Sequence, residues 1–95
     1  MRKVKVSQYG QFSGGTKIEN MVSIVLAWDA NIEPDLVGYK IYYGTSSPPT
    51  QLYAIIGVIP TYTVQLIYQQ YYFDVTAYNS SGLESPVSNI VAYIE

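Results

Sequence analysis

The sequence predicts an all-β fold, a sandwich or barrel of antiparallel strands, and three observations carry that prediction. Apolar residues recur at every second position in several separate runs, the period of a half-buried strand. Gly, Pro, Asn and Ser divide those runs at intervals of about 8–12 residues, the spacing of sandwiches and barrels. No run carries the 3.6-residue apolar stripe of an amphipathic helix.

The elements follow in order. Val4 and Val6 give a weak first alternation, and the polar run after them holds Gly10, Gly14 and Gly15. Residues 1–20 are therefore expected to be either a basic N-terminal arm or a first strand plus a long loop, with residues 21–95 as the domain proper. Ile24, Leu26 and Trp28 alternate with Val25 and Ala27, and Asn31, Pro34, Asp35 and Gly38 then supply turn chemistry. Tyr39, Ile41 and Tyr43 form the next alternation, stopped by Gly44 and a Ser-Ser-Pro-Pro loop. Tyr53 to Val58 is a short apolar run, and Tyr62, Val64 and Leu66 alternate after Pro60. The strongest strand places Tyr71, Phe73, Val75 and Ala77 in one phase and Tyr72, Asp74, Thr76 and Tyr78 in the other. Asn79-Ser80-Ser81-Gly82 turns the chain, and Val87 to Ile94 closes it.

Composition bounds the chemistry. At 95 residues the chain is one domain's worth, and its 48% apolar and 15% aromatic content supplies a modest core. It holds neither cysteine nor histidine. Disulfides, thiol nucleophiles and cysteine metal sites are thereby excluded, along with the commonest general base near neutral pH. Charged residues are only 13%, and they are unevenly placed. Arg2, Lys3, Lys5 and Lys17 precede every acid; from Ile18 onward Lys40 stands alone against seven acids. A +4 segment thus leads a −6 body, in accord with the net charge of −2. Such a segment is drawn to an acidic surface, its own or another's. No stretch approaches the ~20 apolar residues of a membrane span, and no secretion signal is visible at the start.

The residues also carry a resemblance. Trp28 ends an early strand, Asp35 to Gly44 reads DLVGYKIYYG, Leu66 precedes YYFDVTAYN at Tyr71 to Asn79, and Gly82, Glu84-Ser85-Pro86 and Ser88-Asn89 follow. This resembles the fibronectin type III family in its bacterial and bacteriophage form, over about residues 21–95. The resemblance implies an immunoglobulin-like antiparallel sandwich of seven strands, three against four. It implies that Trp28, Tyr39 and Leu66 are structural, and that Tyr71 is a corner tyrosine whose hydroxyl bonds back to upstream backbone. The spacing from Leu66 to Tyr71 is one residue shorter than the family's commonest pattern, so a rebuilt loop is expected there.

Candidate sites are few. Glu33 and Asp35 are spaced for a carboxylate pair, and Asp29, Asn31, Glu33 and Asp35 alternate as calcium ligands do, but Pro34 and the missing loop glycine favour a solvated acidic turn. No catalytic residue, metal or cofactor is expected, and the chain is read as not an enzyme. The stronger signal is eleven tyrosines. Tyr42, Tyr72 and Tyr78 share an outward phase on two strands the family places side by side, and tyrosine favours interfaces. Partner binding is assigned to these three and to Arg2, Lys3, Lys5 and Lys17. The expected function is a virion or cell-surface decoration or assembly protein, docking through its N-terminal arm and tyrosine face onto protein partners such as capsid or tail proteins. The length beginning at Met1 and the missing export signal speak for it; only the resemblance points to phage or bacteria. The alternative is an accessory spacer or weak carbohydrate-binding module of a secreted multidomain enzyme. No nucleic-acid partner is expected, because four charges ahead of an acidic body bind little at physiological salt.

Overall fold

A computed structural model describes residues 1–11, 21–67 and 69–93. Its strands are β1 (Val6–Gln11), β2 (Met21–Trp28), β3 (Leu36–Gly44), β4 (Gln51–Ile56), β5 (Thr61–Ile67), β6 (Tyr71–Asn79) and β7 (Val91–Tyr93). They form two antiparallel sheets, β1-β2-β5 and β4-β3-β6-β7. This is the three-against-four sandwich expected from the sequence.

Alternation decides which side chains meet between the sheets. Val22, Ile24, Leu26 and Trp28 of β2 and Val64 of β5 face Tyr39 and Ile41 of β3, and Tyr71, Phe73, Val75 and Ala77 of β6. Val4 and Val6 are buried with them, so the first residues are part of the core. The Trp28 ring meets Tyr39 edge-on at 5.2 Å, and the Tyr39 hydroxyl accepts the N–H of Asn31 at 2.9 Å. Burying one such aromatic removes about 150–250 Å² from water, which is why these two dominate one end of the core. At the other end the Tyr71 hydroxyl donates to Ile67 O at 2.7 Å and accepts from Gln69 Nε2 at 3.1 Å. That bond ties the start of β6 in one sheet to the end of β5 in the other.

Several strand partners are side chains. The segment before β7 is expected as strand from Val87, yet only Val91–Tyr93 is one. Pro86 has no N–H to give, so two serines serve. Ser85 and Ser88 each receive a β6 N–H on the hydroxyl, from Ala77 and Val75, and return their own N–H to Ala77 O and Val75 O. Asn89 does the same across the sheets: its Oδ1 accepts Val6 N–H at 2.9 Å and its Nδ2 donates to Val6 O at 3.2 Å. On the opposite flank the β3–β4 register shifts between Ile41 and Tyr42, leaving Tyr53 as the extra residue of a bulge. A bulge re-aims a side chain. The Tyr53 hydroxyl both accepts Gln65 N–H at 3.1 Å and donates to Gln65 O at 3.2 Å, filling the open edge of β5.

Candidate interaction surfaces

Three surfaces collect the residues that could recognise something. The first is the outer face of β3 and β6. Tyr42 pairs in register with Asp74, Lys40 with Thr76, and Gly44 with Tyr72, so Tyr42, Tyr72 and Lys40 share one side. Gly38 pairs with Tyr78, and a Cβ at that glycine would run into the backbone oxygen of Ile56 and the Tyr78 ring. The missing side chain is what lets β4 and the tyrosine close over β3. Tyr42, Tyr72 and Tyr78 are each half-buried. Glu84, from the β6–β7 loop, lies across this face. It accepts from Lys40 Nζ at 3.2 Å, from the Tyr42 hydroxyl at 2.8 Å and from Thr76 Oγ1 at 2.8 Å. Lys40 also sits 5.4 Å over the Tyr78 ring, a cation–π contact. Tyr42 and Tyr78 are therefore linked through Glu84 and Lys40, while the Tyr72 hydroxyl accepts from Gln70 Nε2 at 3.2 Å.

Electrostatics on this face separates two carboxylates. Burial pulls the Glu84 carboxyl upward, but bonds from Tyr42, Thr76 and Lys40, with the Lys40 charge, outweigh it and hold Glu84 below its ordinary value. Burial, the bond to Glu84 and the Glu84 charge push the Tyr42 phenol up to about 12. Asp74 is only 2% exposed, its Oδ1 has no hydrogen-bond partner, and burial raises its carboxyl from 3.8 to about 6. Sequence phase put Asp74 on the outward side; nothing local marked it as covered.

The second surface is the pole where the β2–β3 and β6–β7 loops meet, joined by Ser80 N–H on Asp35 O. Asn79 shapes it, its Oδ1 accepting the N–H groups of Ser81 and Leu83 ahead of and behind left-handed Gly82 (φ 81°). Glu33 takes the Arg2 N–H at 3.0 Å and Asn31 Nδ2 at 3.4 Å, while Asn31 also donates to Arg2 O. Slight burial acts upward on Glu33, yet those bonds and the Arg2 charge leave its carboxyl below the ordinary value. The acidic turn thus serves as a clasp for the chain start. No group of three or more Asp or Glu is gathered as a metal cage among the described residues.

The third surface is β1 with the residues leading into it. Lys3 and Lys5 are exposed to either side of buried Val4, and Asp29 N–H on Lys5 O holds the segment along the body. Residues 2–6 of the expected arm are therefore docked on their own domain. Lys17 lies outside the described residues. Beyond Val6 the register shifts before Gln8, and Ser7, Gln8, Tyr9, Gly10 and Val25 line a groove of about 510 Å³.

No protein-family model matches the chain, and no curated protein matches it. Solved structures do. The pectate lyase PelI of Erwinia chrysanthemi, in complex with tetragalacturonic acid, superposes with a TM-score of 0.66 at 17% identity, over 96% of this chain and 28% of that one. An Fn3-like protein of Clostridium thermocellum gives 0.58 at 27% identity, over 74% of this chain and 73% of that one. The spore cortex lytic enzyme SleM of Clostridium perfringens gives 0.57 at 18% identity, over 94% of this chain and 26% of that one. The chain thus spans only about a quarter of the two enzymes' lengths. Sheet order, the bond from Tyr71 across the sheets and these neighbours together make the chain a fibronectin type III-like domain.

Proposed function

We propose that this domain is a non-catalytic accessory module that holds a larger protein at a glycan-bearing surface. The observation that carries the reading is the recurrence of the same sandwich as about a quarter of a pectate lyase and of a spore cortex lytic enzyme. The chemistry at hand agrees with it. The carboxylates are spread over separate surfaces, Glu33 and Glu84 are spent on internal bonds, and the sequence offers no imidazole or thiol to activate a nucleophile. The test is co-sedimentation of the purified domain with insoluble pectic gels and bacterial cell walls, alongside an assay for released sugar. Depletion from the supernatant without product is expected; a domain left wholly in solution, or one that releases sugar, overturns the reading.

A second reading is favoured by the half-buried tyrosine face and the low overall charge. In it the domain is an assembly or decoration module, in a virion or on a cell surface, that docks protein partners through Tyr42, Tyr72, Tyr78 and the basic residues. Removing the whole N-terminal segment would also remove buried Val4 and Val6. Charge reversal at exposed Lys3 and Lys5 is the cleaner perturbation, and mass spectrometry of the isolated particle reads incorporation.

A further inference from the structure

One side wall of the sandwich carries no charge. No charged residue lies between Lys40 and Asp74, a segment that holds all of β4 and β5. On that wall β5 is clasped at Gln65 by the Tyr53 hydroxyl, while β4 is an edge strand bonded to β3 alone. Among the described residues, no second strand or side chain bonds to the outer backbone of β4. The bulge at Tyr53 also does more than aim that ring. Leu52 and Ile55 are three residues apart, yet they pair with Tyr42 and Lys40, which are two apart, so both stand on the outer face of the sheet. They are 48% and 55% exposed, and Val58 and Ile59 carry exposed apolar surface on past the end of the strand.

We propose that β4 pairs antiparallel with β4 of a second copy of this chain, joining two four-stranded sheets into one. A two-fold axis between Tyr53 and Ala54 sets Leu52 opposite Ile55 of the second copy and, by symmetry, Ile55 opposite its Leu52. All four then lie on one outer face as cross-strand apolar pairs. A regular strand puts residues three apart on opposite faces and could not match both, whereas a copy brings the same shifted spacing. Charge selects the copy as well. A two-fold contact brings each group near its own kind. At the loop pole Asp29, Glu33 and Asp35 would meet their like, and along the chain start Lys3 and Lys5 would. On the neutral wall nothing charged meets itself. Lys40 and its copy stand three strand spacings apart, about 14 Å, which exceeds a Debye length at physiological salt. A charged peptide would find no opposite charge there. The bulge shortens the regular backbone ladder, and a strand of about 20 Å makes a small contact beside the about 800 Å² per partner of a standard interface. The pair is therefore a fast-exchanging one.

The experiment is sedimentation equilibrium of the full chain from micromolar to millimolar concentration. The average mass should rise from that of one chain toward that of two and level there. Added salt should leave it unchanged, since no ion pair holds the contact. Leu52→Glu and Ile55→Lys each put an unpaired charge into the contact, so each variant alone should stay a single chain. Mixed in equal amounts, the two should recover the pair. The new acid of one then faces the new base of the other, and the second junction keeps its native Leu52 and Ile55. Both sites are exposed, and circular dichroism and melting of each variant confirm folding. One mass at every concentration of the wild-type chain overturns the proposal. So does association that salt dissolves, that grows past two chains, or that neither variant weakens. Variants that stay single when mixed overturn it too, because the pairing of Leu52 with Ile55 is then wrong.

Discussion

Asp74→Asn should make the domain more stable at neutral pH, and the structure fixes both the sign and the scale. Asp74 is covered, its Oδ1 is unpaired, and its carboxyl stands at about 6 against an ordinary 3.8. A folded-state value above the unfolded one means that the stability is fully present below pH ~3.8 and is lost as pH climbs to about 6. Two pH units correspond to about 3 kcal/mol. Surrounding dipoles relax toward a buried charge and reduce that cost, so about 1–2 kcal/mol is the realistic figure. An amide of the same shape carries no charge to desolvate. The assay is urea denaturation of both proteins from pH 4 to pH 8. Taking the difference between them cancels the opposite slopes of Glu33 and Glu84, whose lowered values cost stability as pH falls. Asp74→Asn should lead by about 1–2 kcal/mol at pH 7, or roughly 4–15 °C in Tm. The lead should shrink to nothing near pH 4. A constant lead, or a variant weaker than wild type at pH 7, would refute the reasoning.

Three further substitutions test the packing. Trp28→Ala removes the indole that meets Tyr39 and should cost about 3–5 kcal/mol in chemical denaturation. Tyr71→Phe leaves Ile67 O without its donor and should cost about 1–3 kcal/mol, with the near-native spectrum retained at low temperature. Gly38→Ala drives a methyl group into the Ile56 backbone, so it should cost at least the about 1–3 kcal/mol of ordinary overpacking and expose β4 to early amide exchange; unchanged protection at Ile55 and Ile56 would contradict that account.

The fold was legible wherever a strand has one dry side and one wet side. Val22, Ile24, Leu26 and Trp28 declare their phase because period-2 burial is written directly into residue order. Val4 and Val6 were ambiguous because two residues of alternation are too few to separate strand from arm, and only their burial against the core decides it. The surfaces were less legible. Alternation puts Tyr42 outward, but Glu84 reaches it from 42 residues away, and a contact of that range leaves no local signature. Asp74 was hidden for the same reason: residue order gives the side of a strand, never what lies over it. Tyr53 needed a register shift between β3 and β4, and a bulge in a run such as QLYAII has no marker residue.

The Tyr53 hydroxyl and the Asn89 amide each bond both backbone groups of a single residue, on β5 and β1 respectively. Strand borders that stay open invite neighbouring molecules to extend the hydrogen-bonded ribbon, and β5 has neither charge nor proline to deter them. Here one phenol and one carboxamide occupy part of that vacancy, at the two edges of the three-stranded sheet. A neighbouring molecule therefore meets no free backbone pair at Gln65 or at Val6, and each of these safeguards rests on a single side chain.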